Sequence, residues 1–423
     1  MSESQENPAK ILVLSFEYPP RAGAGTHVHE LVNGLARAGK RVAILAITAG
    51  EGRTYTQEGV DVHLVAPSPA TCSAVAKLTP ARGVLAINED LIDYGQALLA
   101  GERKRPDVIH CHDWYTYRAA RALGKRFGIP VVGTAHSTSE PIVRWWGDLP
   151  DDEILKQESS LYHTADGLIT VSESMKRIIS QTHGVAAGKI TVAHNGFDWR
   201  VFADSGLPPS QKRKLRLTAA APDEQVVIYA GRLTPQKGVP ALIESAARAL
   251  RRRERVRYLI AGEADSLYSS RMIEEAVKGC GESGQRIKLL GRIDRRQLAL
   301  LYQVADVAVI PSIYEPFGYA AVEAMAAGVA VVASRVGGLA EIIREGEEGL
   351  LVSVREEESG QRRVDVDELA AAQLRLLEDE ELRMRLGAAG QRRVMEEFNA
   401  EKMARRTLQV YAGTKNAMVN PSH

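Results

Sequence analysis

Gly231-Arg232-Leu233-Thr234-Pro235-Gln236-Lys237-Gly238 sets two cations five positions apart on a glycine-bounded loop. The loop follows an apolar run ending at Ala230 and leads into helical spacing. Cations so placed can neutralise a diphosphate, and the amides of the helix start add a fixed positive field. The same spacing also describes two solvated surface cations beside a turn. Further along, Glu315-Pro316-Phe317-Gly318-Tyr319-Ala320-Ala321-Val322-Glu323 follows a strand ending at Pro311-Ser312. With a helix beginning near Phe317, Glu323 lies on it and Glu315 in the loop before it. One carboxylate can then face a sugar while the other reaches a nucleoside, and the amides of Phe317, Gly318 and Tyr319 can cradle phosphate. Helix capping by Glu315 and a plain surface role for Glu323 fit the spacing too, as does hydrolytic acid–base chemistry. Val336-Gly337-Gly338-Leu339-Ala340-Glu341 forms a third element, a tight glycine turn after the last strand.

The first half holds His110-Cys111-His112-Asp113-Trp114-Tyr115 and Thr134-Ala135-His136-Ser137. Alternation on a strand sends His110 and His112 to one face. No Cys/His partners at ligand spacing accompany them, so no metal site is expected. Gly23-Ala24-Gly25-Thr26-His27-Val28 begins like a GxGxxG fingerprint, but Val28 replaces the third glycine and weakens a dinucleotide reading. Trp145-Trp146 can stack on a sugar or simply pack. The basic stretches Arg118 to Arg126 and Arg248 to Arg257 lack a bulky apolar face and read as solvated helix ends, not membrane anchors.

Positioning these loops requires strands that end where they begin. Short apolar runs at Ile11 to Phe16, Val42 to Ile47, Val108 to His110, Val131 to Gly133, Gly167 to Val171 and Ile190 to Val192 alternate with helical spacing. A second series starts afresh at Val226 to Ala230 and continues at Arg257 to Ala261, Ile287 to Leu290, Val307 to Ile310 and Ala330 to Ala333. Such alternation indicates parallel sheets covered on both faces, so an α/β chain of two Rossmann-like domains facing a cleft is expected. The expected boundaries are an N-terminal domain over 1–198, a linker over 199–224, a C-terminal domain over 225–395, and a final helix and frayed tail over 396–423, the helix packing back on the N-terminal domain. With 423 residues, two domains are the natural prior. Fifty-four basic against 53 acidic residues advertise no nucleic-acid partner. Three separated cysteines argue against a disulfide framework, and the polar start MSESQENPAK lacks the apolar stretch of a signal peptide. A cytoplasmic location is therefore expected.

Arg232 with Lys237, the Glu-x7-Glu pair and the Gly-Gly-x-x-Glu turn together resemble family 4 of the retaining glycosyltransferases, over about Ile11 to Leu408. Glu17-Tyr18-Pro19-Pro20, the Gly23 to Val28 loop, the His110 and Thr134 segments and Tyr314-Glu315-Pro316 resemble its glycogen-synthase-like α-glucosyltransferases, including makers of α-maltose-1-phosphate from ADP-glucose. The resemblance implies the GT-B fold and transfer of a hexosyl unit from ADP- or UDP-glucose to a glucan or glucose-1-phosphate. A UDP-sugar transferase acting on a small metabolite, antibiotic precursor or lipid remains open, as does a nucleotide-sugar epimerase of the same fold. It implies Arg232 and Lys237 on the diphosphate, Glu315 on the donor sugar, Glu323 on the ribose and His136 near the sugar 6-hydroxyl. Gly23 and Gly25 would let the backbone approach the donor, although Ala24 separates glycines that are often adjacent in the family. Base contacts would come from backbone near Ile293, and Glu17, His112 and Asp113 would lie on the acceptor side. No cofactor or metal is implied, since the nucleotide sugar is a substrate.

Overall fold

The computed structural model describes residues 9–19, 23–139, 151–204, 206–264, 266–358 and 360–419. The chain forms two compact units, Met1–Phe197 with Asn399–His423, and Asp198–Phe398. Among the described residues no helix is long and apolar enough to cross a membrane.

The first unit is built on an eight-stranded sheet. Its strands are β1 (Lys10–Ser15), β2 (Arg41–Ile47), β3 (Arg53–Gln57), β4 (Val60–Val65), β5 (Val108–His112), β6 (Val131–Ala135), β7 (Gly167–Thr170) and β8 (Ile190–Val192), in the order β3-β4-β2-β1-β5-β6-β7-β8. Only β3 runs antiparallel to its neighbour. Residues of β5 and β6 are buried throughout, as strands covered on both faces require. The helix Gly23–Arg37 turns Val28, Leu31, Val32 and Leu35 inward with no exposed surface. Against it lies the helix Ala400–Val419, whose Met403, Ala404, Leu408 and Tyr411 join the same core. At about 1.5–3 kcal/mol for each large apolar side chain, this burial binds the C-terminal helix to the first unit although the second intervenes in sequence.

The second unit carries a six-stranded, all-parallel sheet. It contains β9 (Gln225–Ala230), β10 (Val256–Ala261), β11 (Ile287–Gly291), β12 (Val307–Ile310), β13 (Ala330–Ser334) and β14 (Gly349–Val352), ordered β11-β10-β9-β12-β13-β14. The helix Val239–Arg252 buries Val239, Leu242, Ile243, Ala246 and Leu250 on it. Residues 199–224, expected as a linker, instead fold as the helices Arg200–Ala203 and Pro209–Ala219 within this unit. The shorter is anchored by the fully buried Phe202, the longer largely by polar contacts: Arg216 donates to the carbonyls of Val304 and Glu224 and to Asp306. The longer helix fully buries no residue, which is why no apolar period announces it.

Both sheets reverse their winding beside their first central strand, between β1 and β5 in one unit and β9 and β12 in the other. In open α/β sheets, ligands bind at the carboxyl ends of the strands beside such a reversal.

Candidate functional site

In the second unit the loops after β9, β12 and β13 lock together around Glu315. Gly238 takes φ +69°, and a Cβ there would collide with the Pro311 carbonyl. Glycine therefore lets the loop after β9 touch the one after β12, a contact completed where the Ile313 amide donates to the Gln236 carbonyl at 2.8 Å. On the other side, the Gly338 amide donates to the Glu315 carbonyl at 2.9 Å. Gly337, at φ +46°, leaves no space for a Cβ against that same carbonyl.

Held this way, Glu315 Oε2 accepts from Lys237 Nζ at 2.7 Å and from Ser312 Oγ at 3.1 Å. Lys237 and Glu315 keep 19% and 12% of their side-chain surface, so the pair is shielded yet reachable. Arg232 is exposed on the same loop, its carbonyl accepting from the Tyr229 hydroxyl at 2.7 Å. Burial pushes that hydroxyl's pKa far up, with the Glu315 charge adding to it, so Tyr229 stays a neutral donor. Gly318 precedes the helix Tyr319–Ala326, which carries the half-buried Glu323. Phe317 is buried edge-on against Tyr319, ring centres 5.3 Å apart. Ile293 lies elsewhere, in the turn after β11, two strands from the reversal.

The first unit places histidines at its own reversal. His112 ends β5, His136 follows β6, and His27 comes from the first turns of the helix Gly23–Arg37. His112 Nδ1 and His136 Nε2 are 3.0 Å apart, and the His27 ring centre is 5.3 Å from that of His112 and 4.5 Å from that of His136. His27 Nδ1 donates to Asn195 Oδ1 at 2.8 Å. Behind them His110 is satisfied on both sides, by the Tyr411 hydroxyl at 2.6 Å and the Thr134 hydroxyl at 2.8 Å. Burial lowers the pKa of His27 to about 4 and of His110 to about 3, and drives His112 and His136 well down, so the rings are neutral near pH 7.

Asp113 sits beside them in a left-handed conformation, φ +54°, with Oδ1 accepting the His136 amide at 2.7 Å. Its pKa rises to about 7, chiefly through burial; the His136 amide works against the shift and the charge of Glu158 reinforces it. A non-glycine residue held at positive φ stores of order 1–3 kcal/mol of strain and recurs at functional positions. Glu17 reaches the start of the neighbouring helix, accepting the Gly25 amide at 3.3 Å, while Gly23 opens that helix and is exposed.

The structure thus joins Lys237 to Glu315 in the second unit, with Ile293 on a separate turn of that unit, and joins His112 to His136 and Asp113 in the first. Trp145 and Trp146 lie outside the described residues. Sequence reasoning gave no role to His27, His110, Ser312, Asn195 or Tyr411. His27 stood one position before an inward-facing valine, but its histidine neighbours emerge only once β1, β5 and β6 are adjacent. His27, His112 and His136 each offer a ring nitrogen, the three within 4.8 Å of one another.

Two family models match the chain, Glycosyltransferase Family 4 over residues 21–200 and Glycosyl transferases group 1 over residues 211–393. Glycogen synthase of Mycobacterium tuberculosis (strain H37Rv) is 33% identical over 426 residues, spanning 97% of this chain and 96% of the relative. Alpha-maltose-1-phosphate synthase of Mycolicibacterium smegmatis is 30% identical over 413 residues, spanning 95% and 98%. Sucrose-phosphate synthase of Thermosynechococcus elongatus, a solved structure, has a TM-score of 0.79 at 27% identity and covers 96% of this chain and 99% of its own.

Proposed function

The chain belongs to glycosyltransferase family 4 and has the GT-B fold, and on that premise we propose that it moves a glucosyl unit, with retention, from ADP- or UDP-glucose to a carbohydrate acceptor such as a glucan or glucose-1-phosphate. The shielded Lys237–Glu315 contact beside the exposed Arg232, at the strand-order reversal, carries this reading. A diphosphate arriving there finds two cations on one loop and a helix start opposite. Glu315, fixed through its own backbone by Gly338, orients hydroxyls of the donor sugar, and Glu323 the ribose. Amides of Phe317, Gly318 and Tyr319 meet the phosphates, and backbone near Ile293 meets the base. From the first unit, His136 approaches the sugar 6-hydroxyl, Gly23 and Gly25 admit backbone close to the donor, and Glu17, His112 and Asp113 serve the acceptor.

During transfer the bond from the sugar anomeric carbon to the phosphate oxygen breaks and its electron pair stays with the nucleoside diphosphate. Arg232 and Lys237 stabilise that developing charge, a task that needs no resident metal in this reading. The acceptor hydroxyl bonds to the anomeric carbon from the same face, and its proton passes to the departing phosphate oxygen. The names of the relatives, glycogen synthase and alpha-maltose-1-phosphate synthase, support glucose and a glucose-based acceptor.

The test is a panel of UDP-, ADP- and GDP-sugars, each with and without maltooligosaccharide or glucose-1-phosphate, followed by mass spectrometry of nucleotide and glycoside. ADP- or UDP-glucose turnover that depends on either acceptor is expected, with an α-linked product by NMR. Turnover of a UDP-sugar without either acceptor being extended would move the acceptor to small metabolites or lipids. Release of free sugar with no acceptor needed would instead favour an epimerase. Silence toward every nucleotide sugar would overturn the proposal.

A further inference from the structure

The carboxylate oxygens of Glu315 keep different company. Oε2 accepts from both Lys237 Nζ, at 2.7 Å, and Ser312 Oγ, at 3.1 Å, whereas Oε1 has no hydrogen-bond partner among the described residues. The donors differ in how firmly they are held. Lys237 keeps 19% of its side-chain surface and ends a flexible stem, so its ammonium can move to another anion. Ser312 is 1% exposed, and its carbonyl accepts from the hydroxyl of the fully buried Ser334 on β13. Its own hydroxyl therefore donates from an anchored backbone.

We infer that Ser312 is a positioning residue for Glu315, keeping the carboxylate aimed at the donor sugar once a diphosphate has drawn Lys237 away. The inference rests on the donor reading given above. A diphosphate carries more negative charge than one carboxylate, so Lys237 exchanges partners when the nucleotide arrives. Glu315 then loses its ammonium and faces a like charge, and rotation about its side-chain bonds would swing it outward. The Ser312 hydroxyl opposes that swing, because a hydrogen bond to a charged acceptor is about twice as strong as one between neutral groups. With the Glu315 carbonyl held by the Gly338 amide and Oε2 held by Ser312, Oε1 is left to accept a sugar hydroxyl. Lys237 thus answers to phosphate, and Ser312 answers to sugar through Glu315.

The test uses calorimetry on the full chain without acceptor, comparing ADP and UDP with ADP-glucose and UDP-glucose. The quantity read is the ratio of a glucose conjugate's affinity to that of its own nucleotide. Ser312→Ala should leave nucleotide affinity within about twofold of wild type and lower the ratio about tenfold, the equivalent of one charge-assisted hydrogen bond. Lys237→Ala should do the opposite, weakening nucleotide and conjugate alike by about tenfold and leaving the ratio near wild type, because Ser312 still holds Glu315. If Ser312→Ala weakened nucleotide and conjugate equally, or changed neither, the inference would fall while the donor reading stood. A ratio lost in Lys237→Ala would also overturn it, since the lysine would then be what aims Glu315. A wild-type chain that bound none of these ligands would overturn the donor reading and this inference together. Should Ser312→Ala fail to fold, the Lys237→Ala ratio still decides whether lysine or serine aims the carboxylate.

Discussion

The two units reverse their strand order at the same place, between the first strand and its crossover partner, yet furnish the two reversals oppositely. Loops after β9 and β12 hold opposite charges in contact, Lys237 on Glu315, with Arg232 in solvent beside them. Beside the β1–β5 reversal the first unit instead buries histidines that are neutral near pH 7, and an aspartate whose pKa burial raises to about 7. An ion pair kept part-exposed can exchange its carboxylate for a phosphate at modest loss, because both partners retain water nearby. Buried neutral rings can only exchange hydrogen bonds or lone pairs. One topology therefore supplies one place suited to anions and another suited to neutral hydrogen-bonding groups such as hydroxyls, and the loop residues decide which.

If that contrast is right, the largest effect belongs to charge removal in the second unit. Lys237→Ala should lower turnover by about 10²–10³-fold, the loss usual when one fixed stabiliser of developing charge is deleted. Arg232→Ala should act similarly while leaving the unfolding transition in place, since Arg232 is exposed. His136→Ala, a neutral contact in the first unit, should lose less. Steady-state kinetics of the three variants with one donor make the comparison, and equal losses would erase the distinction.

Next in size is backbone crowding. Gly337→Ala forces a side chain onto φ +46° and into the Glu315 carbonyl, so about 3 kcal/mol or more of stability in the second unit should go. Gly34→Ala, in the helix packed under Ala400 and Ala404, meets atoms at 3.0 and 3.1 Å and gains helix propensity of about 1 kcal/mol, which offsets most of the strain. Denaturant unfolding should separate the two variants clearly. A Gly337→Ala protein as stable as wild type would mean that the turn does not depend on the left-handed conformation.

How much of this could be read from the chain follows the reach of the contacts. Gly231 to Gly238 and Glu315 to Glu323 are contiguous, so their chemistry and their place after strands were legible before any fold. The bond joining them spans 78 positions, and nothing local predicts that Lys237 rests on Glu315. His112 and Asp113 were legible as a polar strand end, but His27 looked like one more residue of an amphipathic helix. Its burial among histidines depends on β1 lying between β2 and β5. Pro209–Ala219 stayed hidden because guanidinium hydrogen bonds, not apolar side chains, attach it.

Acidification should separate the units by a smaller, tunable effect. The four histidines are depressed in the folded state, so below about pH 6.5 the unfolded chain binds protons that the folded one refuses. The first unit therefore loses stability as pH falls from about 6.5 toward 4. Asp113 acts in the opposite sense: raised from 3.8 to about 7, it takes up a proton in the folded state first and offsets one histidine of the four. In the second unit the Glu224 carboxyl is pushed up by burial but held below its usual range by the Ala221 amide and by Arg257 and Arg286. Its contribution is present above the unfolded value of 4.5 and fades only as pH falls further. Hydrogen exchange read peptide by peptide should show the first unit opening at higher pH than the second. Asp113→Asn, which tolerates the same backbone conformation, should make the loss steeper. Simultaneous opening would refute the assignment.

The smallest effect concerns single hydroxyls that each unit buries. Tyr411 bonds His110 across 301 positions and ties the C-terminal helix to β5, while Tyr258 donates to Gln373 at 2.9 Å inside the second unit. Replacing either by phenylalanine keeps the ring and its packing and removes one bond, leaving a buried partner unsatisfied, so each variant should lose about 1–3 kcal/mol. The location should differ. Tyr411→Phe should loosen exchange in β5 and in Ala400–Val419 and leave β10 protected, and Tyr258→Phe should do the reverse. If Tyr411→Phe loosened the second unit instead, the last helix would owe its stability to the segment that precedes it in sequence, not to the first-unit core around His110.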